Sequence, residues 1–171
     1  MSRTTERPLR ENLLAVAAEE LAENGFSGLR MADVASRVGV SRQTVYNEFR
    51  NKEGLVQAVA LQRTAEYLTG IEQRLVEAAH PFDGMRNALA FMLEQAARDR
   101  LVTSVVTGAD AEDLLPFLTT KGLPVLLPAT DVVAKHLTRQ WPDLPAERVR
   151  RAAETIVRLA LSHLLLPNGS P

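Results

Sequence analysis

The chain has 171 residues, of which 46% are hydrophobic and 24% charged, which suits one or two small domains with a sizeable core. The absence of cysteine excludes disulfides and thiolate metal sites. Because the start lacks the apolar segment of a signal peptide, and because no apolar run approaches the roughly 20 residues of a membrane span, the sequence predicts a cytoplasmic protein that does not enter a membrane.

The formal net charge of −1 does not favour nucleic acid as a partner, but the charges are unevenly distributed. Between residues 30 and 52 there are five basic residues and two acidic ones, whereas Glu19, Glu20 and Glu23 cluster before this segment. A basic face on a nearly neutral body is sufficient for electrostatic docking on DNA, and a second copy of the chain doubles it.

Ala and Leu dominate the composition and only 5% of the residues are aromatic, which favours helix over sheet. The first predicted helix covers about 8–24, because Leu13, Ala17 and Leu21 repeat at helical spacing and Asn24-Gly25 provides a stop. No convincing strand pattern occurs along the sequence, so we predict an all-α fold.

Residues 31–49 are interpreted as two short helices joined at Gly39. Glycine fits this turn because a positive φ is costly for residues that carry a Cβ, and the Ser41 hydroxyl can cap the second helix. Val45 and Phe49 point inward, which turns the intervening polar side chains outward. The pattern is that of a helix-turn-helix unit, whose second helix enters the DNA major groove; an ordinary helical hairpin is the alternative. The two helices cover about 31–38 and 41–49.

A fourth predicted helix runs from about 52 to 80, and Pro81 ends it. It is roughly 40 Å long, so it can connect two lobes of the protein. We place the domain boundary inside this helix and expect residues 1–55 to form the first domain and residues 56–171 the second.

The second half of the chain is also predicted to be helical. Residues 88–93, in the middle of a predicted helix at 82–98, are apolar on all sides, so we expect this helix to be central to the second domain. Ser170-Pro171 either ends a short tail or opens a further helix. The remaining predicted helices cover about 100–107 and 111–119, a segment that starts irregularly after 121 and ends at Trp141, and 145–166.

The two short helices and their flanks carry a characteristic series of residues, namely Gly25-Phe26, Met31-Ala32-Asp33-Val34-Ala35, Gly39-Val40-Ser41, Thr44-Val45-Tyr46, Phe49 and Lys52-Glu53-Gly54-Leu55. This series resembles the DNA-binding domain of the tetracycline-repressor (TetR) family. The resemblance implies an N-terminal three-helix helix-turn-helix domain and a C-terminal helical domain for ligand binding and dimerisation. It also implies a bacterial transcription regulator, usually a repressor, that binds a palindromic operator in double-stranded DNA as a homodimer and is released by a small ligand.

The resemblance further implies roles for the outward side chains. Arg30 departs from the hydroxyl pair that usually caps the second helix in this family; it cannot cap in that way, and we expect it to add a phosphate contact. The anchoring of the second helix is therefore left open. The candidate base readers are Arg42, Gln43 and Thr44, and the candidate phosphate contacts are Ser41, Tyr46, Asn47 and Lys52.

The second domain is expected to hold the effector. Apolar side chains with a few polar groups suit an apolar or amphipathic small molecule held by one or two hydrogen bonds. Plain core packing is the alternative for each residue of this set. The candidate pocket residues are Met85, Leu89, Phe91, Met92, Thr103, Val105, Thr107, Phe117, Val133, His136 and Trp141.

The last predicted helix is apolar over most of its surface from Ile156 onward, which favours a partner beyond its own domain. A dimer is needed because one short recognition helix makes few base contacts, whereas two on a two-fold axis read half-sites about 34–36 Å apart. The candidate interface residues are Ala153, Ile156, Val157, Ala160, Leu161, Leu164 and Leu165.

An enzyme and a DNA-binding regulator without a ligand are the alternative functions. For an enzyme, His80, His136 and His163 fall on separate helices, and no nucleophile motif, glycine-rich phosphate loop or catalytic carboxylate pair occurs in the sequence. We therefore expect no catalytic residue, no cofactor and no metal. A DNA-binding regulator without a small-molecule ligand is also compatible with the sequence.

Overall fold

A computed structural model describes residues 8–100, 102–103, 116 and 122–165. All regular structure within these residues is helical and none of it is strand, which confirms the predicted all-α fold. The chain divides into two units, Met1–Gln62 and Arg63–Pro171, so the division again falls inside the long fourth helix. The helices of the described residues are α1 (Leu9–Gly28), α2 (Met31–Val38), α3 (Arg42–Phe49), α4 (Lys52–Glu77), α5 (Pro81–Arg98), α6 (Leu123–Gln140) and α7 (Ala146–Leu165).

The core of the first unit lies where α1 packs against α2 and α2 against α3. Leu13, Val34 and Val45 are completely buried there. α1 is interrupted at Gly25, whose φ of 68° lies in the left-handed region that favours glycine. The Leu29 N–H donates to the Gly25 carbonyl at 3.2 Å, so a short helical turn follows this kink, which lies at the predicted helix stop.

The core of the second unit lies mainly between α6 and α7, which are connected by residues 141–145 and pack against each other. α6 is more regular than predicted, because Pro124 occupies its first turn, where no hydrogen bond is lost, and Pro128 removes only the bond to the Pro124 carbonyl. Among the described helices, none combines the length and apolar character needed to cross a bilayer. The buried cluster consists of Leu126, Val133, Leu137, Val149, Ala153 and Val157.

α5 is less central than the sequence predicted. Its buried residues, Gly84, Ala88 and Ala96, repeat along one side of the helix. Leu89 and Leu93 are 44% and 40% exposed. The helix therefore packs through a narrow face of small residues, and its large apolar side chains are not enclosed on several sides.

α4 and α5 approach each other closely where glycine leaves out a side chain. A Cβ on Gly70 would lie only 2.3 Å from the Phe91 ring, and a Cβ on Gly84 would lie 3.3 Å from the Leu75 carbonyl oxygen. The Arg74 guanidinium lies 3.6 Å from the centroid of the Phe91 ring. The Phe91 ring therefore packs against α4 in the space that Gly70 leaves, with the Arg74 guanidinium stacked on the ring.

The carboxylate of Asp99 ties α4 to the chain that follows α5. The Tyr67 hydroxyl donates to Asp99 Oδ2 at 3.0 Å, and the Val102 N–H donates to Asp99 Oδ1 at 3.4 Å. Arg63 Nε lies 4.0 Å from the same carboxylate. Partial burial, with the negative charge of Asp99 as a smaller cause, raises the pKa of Tyr67 above its ordinary value, so the phenol remains protonated and able to donate.

Candidate nucleic-acid interface

The turn between α2 and α3 has the geometry that the sequence predicted. Gly39 is left-handed, with φ 78° and ψ 31°, and its N–H donates to the Ser36 carbonyl at 3.2 Å. The Ser41 hydroxyl accepts the Thr44 N–H at 3.1 Å and caps α3. Because Val45 is completely buried, the opposite side of α3 faces outward.

An ion-pair cluster connects the end of α2 to α1. The Arg30 side chain makes no capping hydrogen bond to α2, as its chemistry predicts. Arg37, in the last turn of α2, contacts Glu19 Oε2 at 2.5 Å and Glu20 Oε1 at 2.8 Å. Asn24 donates to the second oxygen of the buried Glu20 at 2.9 Å. These hydrogen bonds, chiefly that with Glu20, raise the pKa of Arg37. The acidic residues late in the first predicted helix were the available signal for this contact.

The outward side chains of α3 are paired with each other along the helix. Arg42 donates to the Tyr46 hydroxyl at 3.0 Å, and its guanidinium lies 5.1 Å from the centroid of the Tyr46 ring. The hydrogen bond with Tyr46 raises the pKa of Arg42. Gln43 Nε2 donates to Oδ1 of Asn47, which lies one helical turn further along α3, at 2.8 Å. The polar residues that sequence analysis placed on one face are therefore brought together and oriented before any DNA is bound.

The joint between α3 and α4 is two residues long and tightly constrained. Arg50 has a φ of 66° and a ψ of −51°, and the Asn51 N–H donates to the Phe49 carbonyl at 2.8 Å, which is a γ-turn of the rare, strained kind. Asn51 Oδ1 then accepts the Gly54 N–H at 2.7 Å and caps α4. A Cβ on Gly54 would lie 2.2 Å from the Phe49 carbonyl oxygen, so only glycine fits there.

Lys52, a predicted phosphate contact, is folded back onto the end of α1. Its Nζ donates to the Ser27 carbonyl at 3.3 Å and lies 4.5 Å from the centroid of the Phe26 ring. Lys52 is half-buried at the first position of α4, while Arg30 is exposed just before α2. A phosphate contact from Lys52 remains a prediction, and the ammonium has three N–H donors, of which the Ser27 carbonyl accepts one.

Arg10, which is not among the residues predicted from the sequence, connects the start of α1 to the end of α3. Its Nη1 lies 2.7 Å from Glu48 Oε1, and its guanidinium lies 5.1 Å from the centroid of the Phe49 ring. The two partners are 38 residues apart in sequence, so no local pattern pointed to the contact. It holds α3 from the side opposite to the Arg42–Tyr46 pair.

The predicted pocket residues are distributed over several packing environments. Phe91 lies against α4, and Val133 fills the α6–α7 core with the partly buried Met85 and Trp141 at its edge. Met92 is half-buried, Leu89 and Thr103 are exposed, and the remaining candidates Val105, Thr107 and Phe117 lie outside the described residues.

His136 is the most unusual of these candidates, because it is only 1% exposed and neither ring nitrogen has a hydrogen-bond partner among the described residues. Burial lowers its pKa below the ordinary value; the nearby Pro81 carbonyl opposes this shift and the charge of Arg139 adds to it. The Thr130 hydroxyl on the same helix is likewise buried and unpartnered within the described part of the chain.

The predicted dimer residues on α7 separate into two groups. Ala153 and Val157 are 0% and 6% exposed and fill the core of their own unit, so they are not available to a second copy. Ile156 and Leu161 are partly buried against the same core, and Ala160 and Leu164 are half-buried. The structure does not describe the Leu165 side chain.

Comparison with known protein families gives a match over most of the chain. Residues 13–59 match the family of bacterial regulatory proteins called the tetR family. Residues 81–171 match the C-terminal domain of the bacterial tetracycline repressor. The first match contains the whole α2–α3 unit, and the second begins with α5.

Individual relatives give a consistent result. The chain is 29% identical over 160 residues to the HTH-type transcriptional regulator AlkX of Mycobacterium tuberculosis, covering 93% of this chain and 76% of that protein. Its structure is similar to that of the TetR family repressor AlkX from a Dietzia strain, which is implicated in biodegradation of n-alkanes, with a TM-score of 0.76, 29% identity and coverage of 100% and 89% of the two chains. FadR from Bacillus subtilis, solved with stearoyl-CoA, shares the fold at 18% identity and a TM-score of 0.61, covering 91% and 84%.

Proposed function

Since this chain belongs to the tetracycline-repressor (TetR) family, it is a DNA-binding transcription regulator and not an enzyme, and we propose that it acts as a repressor. In this proposal a homodimer binds a palindromic operator and leaves it when an apolar or amphipathic small molecule binds to the second unit. The observation that carries the proposal is the α2–α3 unit, whose second helix buries Val45 and exposes an ordered polar face.

Several features support DNA contact by α3. Arg42 suits the acceptors of guanine or a phosphate, and Gln43 suits adenine. The Gly39 turn, the Ser41 cap and the γ-turn at Arg50 fix both ends of the helix, so little conformational freedom is lost when it binds.

Exposed leucines support a homodimer through the second unit. Leu123 and Leu127 on α6 are 60% and 47% exposed, and Leu159 on α7 is 58% exposed. Large apolar side chains exposed on adjoining helices favour burial against a second copy. Ala160 and Leu164, which remain half-buried on α7, are the residues of the predicted interface best placed to extend it.

The proposed effector has a long aliphatic chain and a small polar end group. The Dietzia repressor is implicated in n-alkane degradation, which favours an aliphatic effector here. His136 and Thr130 supply buried polar atoms without partners among the described residues, and such atoms are normally satisfied by a hydrogen bond. Because its pKa is lowered, the imidazole of His136 is neutral at pH 7 and can donate or accept.

The first experiment identifies the operator and then tests release. The full chain is used to select binding sites from randomised duplex DNA, and affinity for the selected duplex is measured by fluorescence anisotropy at fixed salt. Hexadecane, hexadecanol, hexadecanoic acid and hexadecanoyl-CoA are then added, since they share one chain length and differ in the end group. We expect a palindromic site and weaker binding with at least one polar-ended probe, because an effector must bind the free and DNA-bound states with different affinity.

Two results contradict the proposal at different levels. If no sequence is selected over random DNA, sequence-specific operator binding is wrong. If a palindrome is selected but its affinity stays constant at saturating concentrations of every probe, the aliphatic effector is wrong and a regulator without such a ligand is favoured.

The dimer is tested with charge substitutions at exposed positions. Leu127→Glu and Leu159→Glu are expected to shift the protein toward monomer in analytical ultracentrifugation and to reduce affinity for the palindrome to that for a half-site. Arg158→Glu is the matched control, because Arg158 is exposed on the charged side of α7, where it pairs with Glu154 at 2.7 Å. Dimers of unchanged stability in both leucine variants would contradict an interface at these helices.

A further inference from the structure

Gln43 and Asn47 lie on the side of α3 that points furthest from the protein core. At about 100° per residue, the two amides lie nearly opposite to the buried Val45 and Phe49. Both side chains are exposed. A helix that enters the major groove with its buried side facing its own protein therefore brings these two amides deepest into the groove.

The hydrogen bond between the two amides determines which atoms they present. Gln43 Nε2 donates to Asn47 Oδ1 at 2.8 Å, which leaves Gln43 Oε1 as an acceptor and Asn47 Nδ2 as a donor. Adenine offers the complementary pair in the major groove, with the N6 amino group as a donor and N7 as an acceptor. One amide alone can supply both contacts, and the Gln43 amino group keeps a second N–H after it donates to Asn47. Reading by the pair differs in that the Asn47 amide supplies the donor to N7.

The neighbouring side chains flank this pair without blocking it. On one side Arg42 is bonded to the Tyr46 hydroxyl at 3.0 Å. On the other side the Thr44 hydroxyl is bonded to the Ser41 hydroxyl at 2.8 Å. Further round the helix, Glu48 is held by Arg10 at 2.7 Å. Each flanking pair is engaged within the protein, so the central amides are left to face the groove floor.

We propose that Gln43 and Asn47 read a single adenine together, with Gln43 Oε1 accepting from N6 and Asn47 Nδ2 donating to N7. This proposal rests on the proposed operator binding, and it changes the expected role of Asn47 from phosphate contact to specificity-determining residue. A merely structural i, i+4 bond between the two side chains would stabilise α3 without preferring any base.

The experiment uses the full chain and synthetic duplexes of the selected palindrome, with each of the four base pairs placed in turn at every half-site position. Asn47→Ala, Gln43→Ala and the double variant are compared by anisotropy at several salt concentrations. Gln57→Ala is the matched control, because Gln57 is an exposed amide on α4 in the same unit. The readout is the discrimination ratio at each position, which a purely structural role would not change.

Each single variant is expected to lose about 5- to 150-fold of the preference for adenine, at the same position in both cases. The double variant is expected to lose no more than the larger single effect, since either substitution breaks the pair. The slope of affinity against salt is expected to stay unchanged, and Gln57→Ala is expected to bind like the wild type.

Three results would overturn the joint reading of adenine: the two variants relax different positions, the shared position prefers another base, or Asn47→Ala weakens all duplexes equally. In the last case, a salt slope reduced by about one would identify Asn47 as a phosphate contact. Failure of the wild type to select any sequence would instead contradict the proposed operator binding itself.

Discussion

Replacement of Gly54 by alanine tests how tightly α3 is joined to α4. The added Cβ would lie 2.2 Å from the Phe49 carbonyl oxygen, whereas ordinary van der Waals contact begins near 3.4 Å. That oxygen belongs to the main chain and also accepts the Asn51 N–H at 2.8 Å. The clash can therefore be relieved only by moving the backbone of the joint.

The expected change in the free energy of unfolding is the sum of two destabilising contributions and one stabilising contribution. Forcing a methyl group into a packed site costs about 1–3 kcal/mol, and loss of the Asn51 hydrogen bond costs about 1 kcal/mol. Alanine recovers up to about 1 kcal/mol through its better helix propensity. We therefore expect Gly54→Ala to lower the free energy of unfolding by about 2 kcal/mol.

Urea denaturation followed by far-ultraviolet circular dichroism measures this change. Gln57→Ala, an exposed position on the same helix, controls for the general effect of alanine and is expected to stay within about 0.5 kcal/mol of the wild type. If Gly54→Ala were as stable as the wild type or more stable, the close approach of α4 to the Phe49 carbonyl would not exist in solution.

Two further predictions concern the second unit. Because the unfolded chain protonates His136 near pH 6.5 while burial lowers the pKa of this residue in the folded state, the free energy of unfolding is expected to fall as the pH drops below about 6.5. Urea denaturation at several pH values should show a weaker pH dependence of the free energy of unfolding for His136→Leu than for the wild type. Equal pH dependence in the two proteins would contradict this prediction. Tyr67→Phe removes the 3.0 Å bond to Asp99 and is expected to destabilise the protein by about 1 kcal/mol in the same assay. Asp99→Asn should then cost less stability in the Tyr67→Phe background than in the wild type, whereas fully additive effects would show that the two residues do not interact.

The sequence could predict the parts of the fold that depend on short-range chemistry. Gly39 and Ser41 act over a few residues, since a glycine accommodates a left-handed turn and a serine hydroxyl accepts the N–H three residues further on. The all-helical composition and the position of the long connecting helix are equally local properties. For the same reason Arg30 could be recognised as unable to cap α2.

Contacts between distant segments could not be predicted in this way. Arg10 and Glu48 pair across the first unit, and nothing near either residue indicates the other. Ala153 and Val157 lie on an apolar face that periodicity identifies correctly, but periodicity does not reveal whether the same chain or a second copy covers that face. Phe91 illustrates the same problem, because its place against α4 depends on a glycine 21 residues earlier.

The γ-turn at Arg50 has a consequence for engineering this protein. Since α3 is fixed at one end by the Gly39 turn and at the other by the Phe49–Asn51 bond, its orientation is set by residues outside its exposed polar face. A variant with altered DNA specificity should therefore change only the outward positions of α3 and keep both the Gly39 turn and the joint between α3 and α4. If the segment after α3 were also taken from another protein, the orientation of α3 would change, and suitable side chains on α3 would point in the wrong direction.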